Sequence, residues 1–451
     1  MHVSSRYLDL TRQKLELTRL PRELQLPQHR KWQYGTPKAA LEPLVDFWLE
    51  HYDWRAQESH YNSTLPQWRT TVTPSGPDGE EAVHTPLRVH FVHKASQHPN
   101  AIPLLFVHGW PGSFLEVSKV IDALTEPTTA SAANPFRDAG NHGETRVRAF
   151  HVVAPSIPGF GFSDASMDEG FGLKETAEMF DVLMKRLGYN KYVAHGADGG
   201  FKVCRMLALK NPESCLAVHT SSSKLPMPAL RRRPLEWLKY HTARLTGARA
   251  PWLRFGYTPT DMLPIRHSSY EREFLVTDTS SSMPSVRYAQ RPQTTAYALC
   301  DSPVGLLASM LDVLYTSSDA YTWTPREIIN WTMMQWLPGP EAGLRWLRQV
   351  QADTSFLWDD YSAVPLGISQ FKTSGETSSP PVWAAAFQNL KWVKRHERFA
   401  RCPAWDAPEQ LVLDIRDFVR EMIYGRHVNF EIHANEVQPL ELTDADAGRP
   451  Q

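Results

Sequence analysis

The chain has 451 residues, a formal net charge of −1 and four cysteines. That length suits one large domain with insertions or two domains with a substantial core, and the near-neutral charge argues against an electrostatic nucleic-acid partner. The cysteines at 204, 215, 300 and 402 fit neither a metal spacing nor a small disulfide framework, and read as free thiols in a reducing compartment. From Leu8 to about Gly79 the chain reads as helical and tryptophan-rich. Strand-like runs then follow at Leu87 to His93, Pro103 to His108, Phe150 to Ala154 and Lys191 to Ala194. Helical stretches at Phe114 to Leu124 and Leu173 to Leu187 separate them, and alternation of this kind means a parallel sheet covered on both faces. Thr125 to Thr145 reads as a surface insertion. After Thr220 the alternation stops in a region rich in Pro, Arg and aromatics, with helix-like runs at Val304 to Tyr315 and Ala342 to Val350. It resumes with Val364 to Phe371, Leu390 to Arg395 and Gln410 to Met422.

These signals divide the chain into a helical meander (1–80), a first core segment (81–221), a helical lid (222–360), a second core segment (361–435) and a polar tail (436–451). The lid is expected over the carboxyl ends of the strands, where open α/β sheets bind ligands. The chain start lacks the apolar core of a signal peptide, and no run of about 18 apolar residues occurs, so an intracellular, soluble protein without stable membrane insertion is expected. Arg231 to Arg233 form the one dense basic cluster, read as a solvated loop face. The sequons at Asn62 and Asn330 carry little weight without a secretory signal.

Two stretches carry chemistry. In A-H-G-A-D-G-G-F, residues 194–201, a strand turns sharply into a helix among glycines, the pattern of a nucleophile elbow with Asp198 at the apex. In H-G-W-P-G, residues 108–112, a strand ends in a loop of the kind that supplies one arm of an oxyanion hole. The backbone N–H groups of Trp110 and Gly199 are the expected donors, with His108 counted in the same substrate-facing loop. No cofactor or metal motif is found.

With these residues in place, the chain resembles the microsomal-type epoxide hydrolases, which have an α/β-hydrolase fold. The likeness rests on T-R-L-P-R-E-L (18–24), Y-D-W-R (52–55), I-P-L-L-F-V-H-G-W-P-G-S-F (102–114), F-H-V-V-A-P-S-I-P-G-F-G-F-S-D (150–164), the elbow, and D-S-P-V-G-L-L-A (301–308). The resemblance implies an aspartate that attacks the epoxide carbon while two lid tyrosines hold the epoxide oxygen. A His–acid pair then hydrolyses the ester. An aspartate suits that task because its carboxylate forms a hydrolysable ester, whereas a serine would form an ether.

The other parts of that machine depart from the family pattern. Counting from Pro408 and from Trp392, the catalytic histidine falls on Arg401, with His396 five residues earlier as a displaced base. The acid falls on Ser374, near Glu376. The first lid tyrosine falls on Pro284, near Tyr288, and the second on Trp346. Gly199 replaces the bulky residue that commonly follows the nucleophile, which opens the pocket wall. Arginine cannot take a proton from water near neutrality. Without a base, ester hydrolysis loses the roughly 10²–10⁴-fold that general-base catalysis supplies. The expected function is therefore non-hydrolytic: Asp198 acts as acid or base in cyclisation, isomerisation or intramolecular epoxide opening, with a small lipophilic substrate and a possible homodimer. Two alternatives stay open. One is a true epoxide hydrolase using His396 and Glu376, and the other is a catalytically silent binder of an apolar ligand. Trp237, Trp252, Phe255, Phe274, Trp323, Trp331, Trp336 and Trp346 are expected to make the lid apolar inside.

Overall fold

The computed structural model describes residues 1–74, 85–127, 148–221, 224–262, 291–317, 321–372 and 379–428. Eight strands form one sheet in the order β1-β2-β4-β3-β5-β6-β7-β8. They are β1 (Gln67–Val72), β2 (Leu87–Lys94), β3 (Ile102–Val107), β4 (Phe150–Pro155), β5 (Tyr192–Gly196), β6 (Cys215–Thr220), β7 (Ser362–Lys372) and β8 (Gln388–Phe399). β1 with β2 and β2 with β4 are antiparallel, and every other neighbouring pair is parallel. This is the mostly parallel sheet that the alternation of strand and helix signals implied, in the α/β-hydrolase architecture that the family resemblance implied.

Side-chain alternation along the central strands feeds two cores. On one face Leu104, Phe106, Val152 and Val193 pack with Leu115, Ile121, Leu411 and Phe418. On the other, Leu105, Val107, Val153 and Ala194 pack with Phe180, Leu183, Phe201 and Leu207. A fully buried Leu or Phe contributes roughly 1.5–3 kcal/mol, so these faces fix the strand register, because a one-residue slip would expose them all. The second face is covered by α5 (Leu173–Arg186) and α6 (Gly199–Lys210), and the first by α13 (Pro408–Tyr424), which follows the short α12 (Pro403–Asp406).

The N-terminal region contributes α1 (Ser5–Glu16), α2 (Lys38–Glu50) and α3 (Trp54–Thr64). It also contributes β1, where helix was expected; the β-branched run Thr70-Thr71-Val72 favours the extended pairing with β2. β6 was likewise not anticipated, because Cys215–Thr220 is short and directly precedes the break in the pattern. After a short α4 (Ile121–Thr125), the lid supplies α7 (Pro234–Leu245), α8 (Pro292–Asp301), α9 (Pro303–Ser317), α10 (Pro325–Trp336) and α11 (Pro340–Leu357). The meander and lid lock at Asn330, which accepts from the Tyr52 hydroxyl at 2.7 Å and donates to Gln57 at 3.1 Å and Tyr61 at 2.7 Å. That sequon asparagine is a structural hub.

Four cysteines are free, with Cys204 and Cys215 buried. Among the described residues, no single helix is long and apolar enough to cross a membrane.

Candidate active site

The elbow between β5 and α6 is dictated by close approach. Asp198 has φ 48° and ψ −118°, a region that costs a non-glycine residue of order 1–3 kcal/mol and persists only where its surroundings enforce it. A Cβ on Gly196 would lie 2.5 Å from the Gly200 carbonyl carbon, and one on Gly200 would lie 2.4 Å from the Val107 oxygen. Those two glycines let the turn close against β3. Gly109 serves the other side: a Cβ there would meet the Ala197 oxygen at 2.9 Å and the Asp198 Cβ at 3.2 Å. The 108–112 loop and the elbow are therefore in contact, as their motifs suggested.

The loop is held by its own side chains. The buried His108 donates from Nδ1 to the Gly109 oxygen at 3.0 Å and accepts at Nε2 from the Ile157 N–H at 3.1 Å. Burial pushes its pKa down to about 4, so it is neutral with both nitrogens committed to backbone. It is a positioning residue and not the substrate contact expected. The Trp110–Pro111 peptide bond is cis, and the Pro111 oxygen accepts from Gln335 of α10 at 2.7 Å, which ties the loop to the lid. Glu116 lies beneath. Its Oε1 accepts from the Gly109 N–H at 3.2 Å, and it would sit only 1.7 Å from a Cβ on Gly112. Burial raises its pKa to about 8; the Gly109 bond opposes that, and the charges of Asp198 and Asp406 add to it.

Asp198 behaves differently. Burial alone would raise its pKa, but Lys224, Lys202, Arg401 and a hydrogen bond from the Gly199 N–H outweigh burial and lower it. The carboxyl is therefore ionised at neutral pH. Lys202, half-buried in the first turn of α6, has its pKa lowered by burial, against the pull of Asp198 and Asp353. Arg401 is half-buried, and its charge is among those that act on Asp198. The turn that carries it is fixed from below: Asp406 Oδ2 accepts from the Arg401 N–H at 2.9 Å and the Cys402 N–H at 3.0 Å.

His396 stands elsewhere. Its Nε2 meets Asp414 Oδ2 at 2.6 Å, and its ring stacks on Phe371 at 4.3 Å. Asp414 belongs to α13, so the side chain turns to the α13 face of the sheet. There it ends a buried polar chain in which Ser369 donates to Asp414 at 2.6 Å, His219 meets Ser369 at 3.1 Å, and His195 meets His219 at 2.9 Å. The displaced-base expectation thus finds its histidine engaged with a helix carboxylate instead of the nucleophile's surroundings. Glu376 and Tyr288 lie outside the described residues.

Trp346 corrects another expectation. Its ring atoms lie 3.3 Å from where a Gly199 Cβ would be, and its Nε1–H is spent on Thr176 Oγ1 at 3.0 Å. The wall beside the nucleophile is not opened by Gly199; the lid tryptophan fills it. The same ring helps line a cleft of about 620 Å³ between residues 158–171 and helices α8 and α11, together with Phe171 and Arg345. Most other lid tryptophans do not line this cleft. Trp331 is fully buried against Trp323 and Trp405, Trp336 donates to Thr11, and Trp252 is 78% exposed. Phe274 lies outside the described residues.

Sequence reasoning missed Glu116, Lys202, Lys224 and Asp406. Glu116 had a signal, a lone carboxylate inside the apolar run F-L-E-V, and Asp406 sits two residues before the proline used for counting. Lys202 had one as well, since it lies four residues past Asp198 in the first turn of the helix that the elbow opens, whereas Lys224 had none, because only the fold brings it to Asp198.

Comparison with known proteins agrees with this fold. Residues 1–117 match the family model described as epoxide hydrolase N terminus, and residues 102–299 match that of the alpha/beta hydrolase fold. The chain is similar to the "Putative epoxide hydrolase" of Stigmatella aurantiaca, at 30% identity over 87% of this chain and 78% of that one. It is also similar to epoxide hydrolase 1 of Sus scrofa, at 28% identity over 90% and 85%. In three dimensions it resembles the juvenile hormone epoxide hydrolase of the silkworm Bombyx mori, with TM-score 0.73 and 21% identity over 94% of each chain. It resembles the Aspergillus niger epoxide hydrolase as well, with TM-score 0.67 and 24% identity over 93% and 95%. Extended sequence similarity, the shared fold and the aspartate elbow together establish that the chain belongs to the epoxide hydrolase family.

Proposed function

We propose that this member of the family opens an epoxide of a small lipophilic substrate without adding water, with Asp198 as the base. The observation that supports this most is the surroundings of Asp198. Its carboxylate is kept ionised by Lys224, Lys202 and Arg401, and Arg401 occupies the position to which the family resemblance assigns the histidine. A carboxylate with a lowered pKa is ionised in the resting protein and so enters the reaction as the proton acceptor, which favours base over acid for the first step at Asp198. Trp346 cannot supply the missing phenol, because its one N–H is bonded to Thr176.

In the proposed cyclisation a hydroxyl of the substrate gives its proton to Asp198. The freed oxygen forms a C–O bond to an epoxide carbon as the ring C–O bond breaks, and the new alkoxide recovers the proton from Asp198. Product and substrate are isomers. The backbone N–H groups of the 108–112 loop and the elbow are the candidate donors to the developing alkoxide, with that of Gly199 shared with Asp198 itself.

A second reading is favoured by the relatives, which are named epoxide hydrolases: ordinary hydrolysis with Asp198 as nucleophile. Incubation with a panel of hydroxylated and simple epoxides in H₂¹⁸O separates the two. Unlabelled isomer is the expected product. Labelled diol formed over many turnovers would reject the non-hydrolytic reading, and no conversion of any epoxide would leave a ligand-binding protein.

A further inference from the structure

Residues 227–255, at the start of the lid, combine two unusual features. They expose Met227 (49%), Leu230 (54%), Leu235 (71%), Leu238 (56%), Leu245 (90%), Trp252 (78%) and Phe255 (42%). The same 29 residues hold seven cations, Arg231, Arg232, Arg233, Lys239, Arg244, Arg249 and Arg254, against one carboxylate, Glu236, in a chain whose formal net charge is −1. Glu236 already pairs with Lys239 at 2.7 Å, and Arg232 pairs with Asp359.

The placement on α7 is ordered. Tyr240 and Ala243 form its buried face, and Tyr240 packs edge-on against Trp383 at 5.3 Å. Leu235, Leu238 and Leu245, spaced by three and seven residues, fall on the opposite, solvent side. A leucine stripe on the outer side of a helix already anchored by Tyr240 and Ala243 is not needed for packing, and large apolar side chains exposed together in this way mark an interaction surface. Lys239 and Arg244 flank the stripe. Arg249 and Arg254 bracket Trp252 and adjoin Phe255. Leucines on the outward face, cations along the edges and a tryptophan beside them are the composition of an interfacial helix lying in the headgroup region of a bilayer.

We propose that residues 227–255 form a peripheral docking face for an anionic phospholipid surface, with the α7 leucines and Trp252 entering the interface and the arginines meeting the headgroups. The sign and spread of the charge favour this occupant. The cations surround the apolar stripe on both sides, as a flat, laterally uniform negative surface requires, and an oppositely charged bilayer attracts each of them. The basic cluster at 231–233, read from sequence as a solvated loop face, becomes part of this rim. The face is separate from the chemistry at Asp198, so the proposal stands whatever the reaction.

The test is flotation of the full-length protein with phosphatidylcholine vesicles, with and without phosphatidylserine, at low and high salt. The wild type is expected to float with phosphatidylserine vesicles, more weakly with phosphatidylcholine alone and more weakly at high salt. The triple variant Leu235→Ser/Leu238→Ser/Leu245→Ser should lose roughly tenfold or more in vesicle partitioning, and Arg244→Glu/Arg249→Glu should lose the preference for phosphatidylserine. Thermal melting and light scattering check that the variants remain folded, and Trp252→Ser supplies an independent single-site loss. Wild-type protein that floats with neither vesicle overturns the proposal. So does undiminished binding by the triple variant, equal binding to both vesicles, or a soluble dimer that the triple variant disperses while no vesicle is bound.

Discussion

Two regions meet at the carboxyl edge of the sheet, and they have fared differently. At the elbow and the 108–112 loop, every constraint of a nucleophile site is present: Gly196 and Gly200 admit the close turn, Gly109 touches Asp198, and His108 pins the loop by two backbone bonds. At the turn after β8 the scaffold is equally well held, by Asp406 on the Arg401 and Cys402 amides. Yet the side chain presented there is an arginine. On the reading proposed above, in which Arg401 stands where the family resemblance places the histidine, a backbone frame persists while the group it displays changes class. At the elbow the display and the frame are one structure, because the strained Asp198 exists only within it. At the β8 turn they separate, and the chemistry can be replaced without disturbing the fold.

The comparison is broken most severely by removing the retained half. Asp198→Ala is expected to lower turnover of any converted epoxide by about 10²–10⁴-fold, the usual contribution of a positioned proton acceptor, while the protein stays folded with a somewhat lower thermal midpoint. The midpoint falls because the lowered pKa of Asp198 marks a carboxylate held by cations, and alanine leaves those cations without it. Full turnover in this variant would remove Asp198 from the mechanism under either chemical reading.

Glu116 sharpens the comparison from below the loop. Its folded pKa of about 8 stands above the ordinary 4.5, so across that interval the folded state holds a proton that the unfolded state has released. Stability must then fall as pH rises from about 4.5 to about 8, by of order 3–5 kcal/mol in total. Glu116→Gln keeps an acceptor for the Gly109 N–H and cannot ionise, so it should flatten that limb and be more stable than the wild type at pH 8. Denaturant midpoints measured across the interval test this. An unchanged slope would mean that Glu116 is solvated or paired when charged.

What the sequence made legible follows the same division. The glycines at the elbow and the H-G-W-P-G loop were readable because backbone close approach needs particular residues at fixed short spacing. The parallel sheet was readable because buried strands alternate with amphipathic helices. β1 escaped because a strand within a helical, tryptophan-rich region shows only a brief β-branched run. The exchange of bulk between Gly199 and Trp346, positions 147 residues apart, could be seen only in space: the glycine read as a hole and the tryptophan as a lost phenol, whereas together they make one wall. His396 misled for a similar reason. Its position near the β8 end suggested a base, but its partner Asp414 is set by how α13 crosses the sheet.

The smallest effect, and the one that divides the readings, is expected at Arg401. Its charge acts on Asp198 more weakly than those of Lys224 and Lys202, so Arg401→His should raise the Asp198 pKa only in part. The sign is fixed. Losing a nearby cation favours the protonated carboxyl, so the acid limb of the pH–rate profile moves to higher pH, while turnover at neutral pH, where the carboxylate is ionised in both proteins, changes little. Diol should not appear, because the position to which the family resemblance assigns the acid partner is Ser374, which carries no carboxylate. Such a histidine lacks the orienting partner that a water-activating base requires. The measurement is the pH–rate profile of both proteins on the same epoxide, with H₂¹⁸O incorporation followed in parallel. Sustained labelled diol from Arg401→His would mean that hydrolysis was lost through this one side chain. An unmoved acid limb with native turnover would show that Arg401 exerts no control over Asp198, and the lysines alone would then hold the base in its charged form.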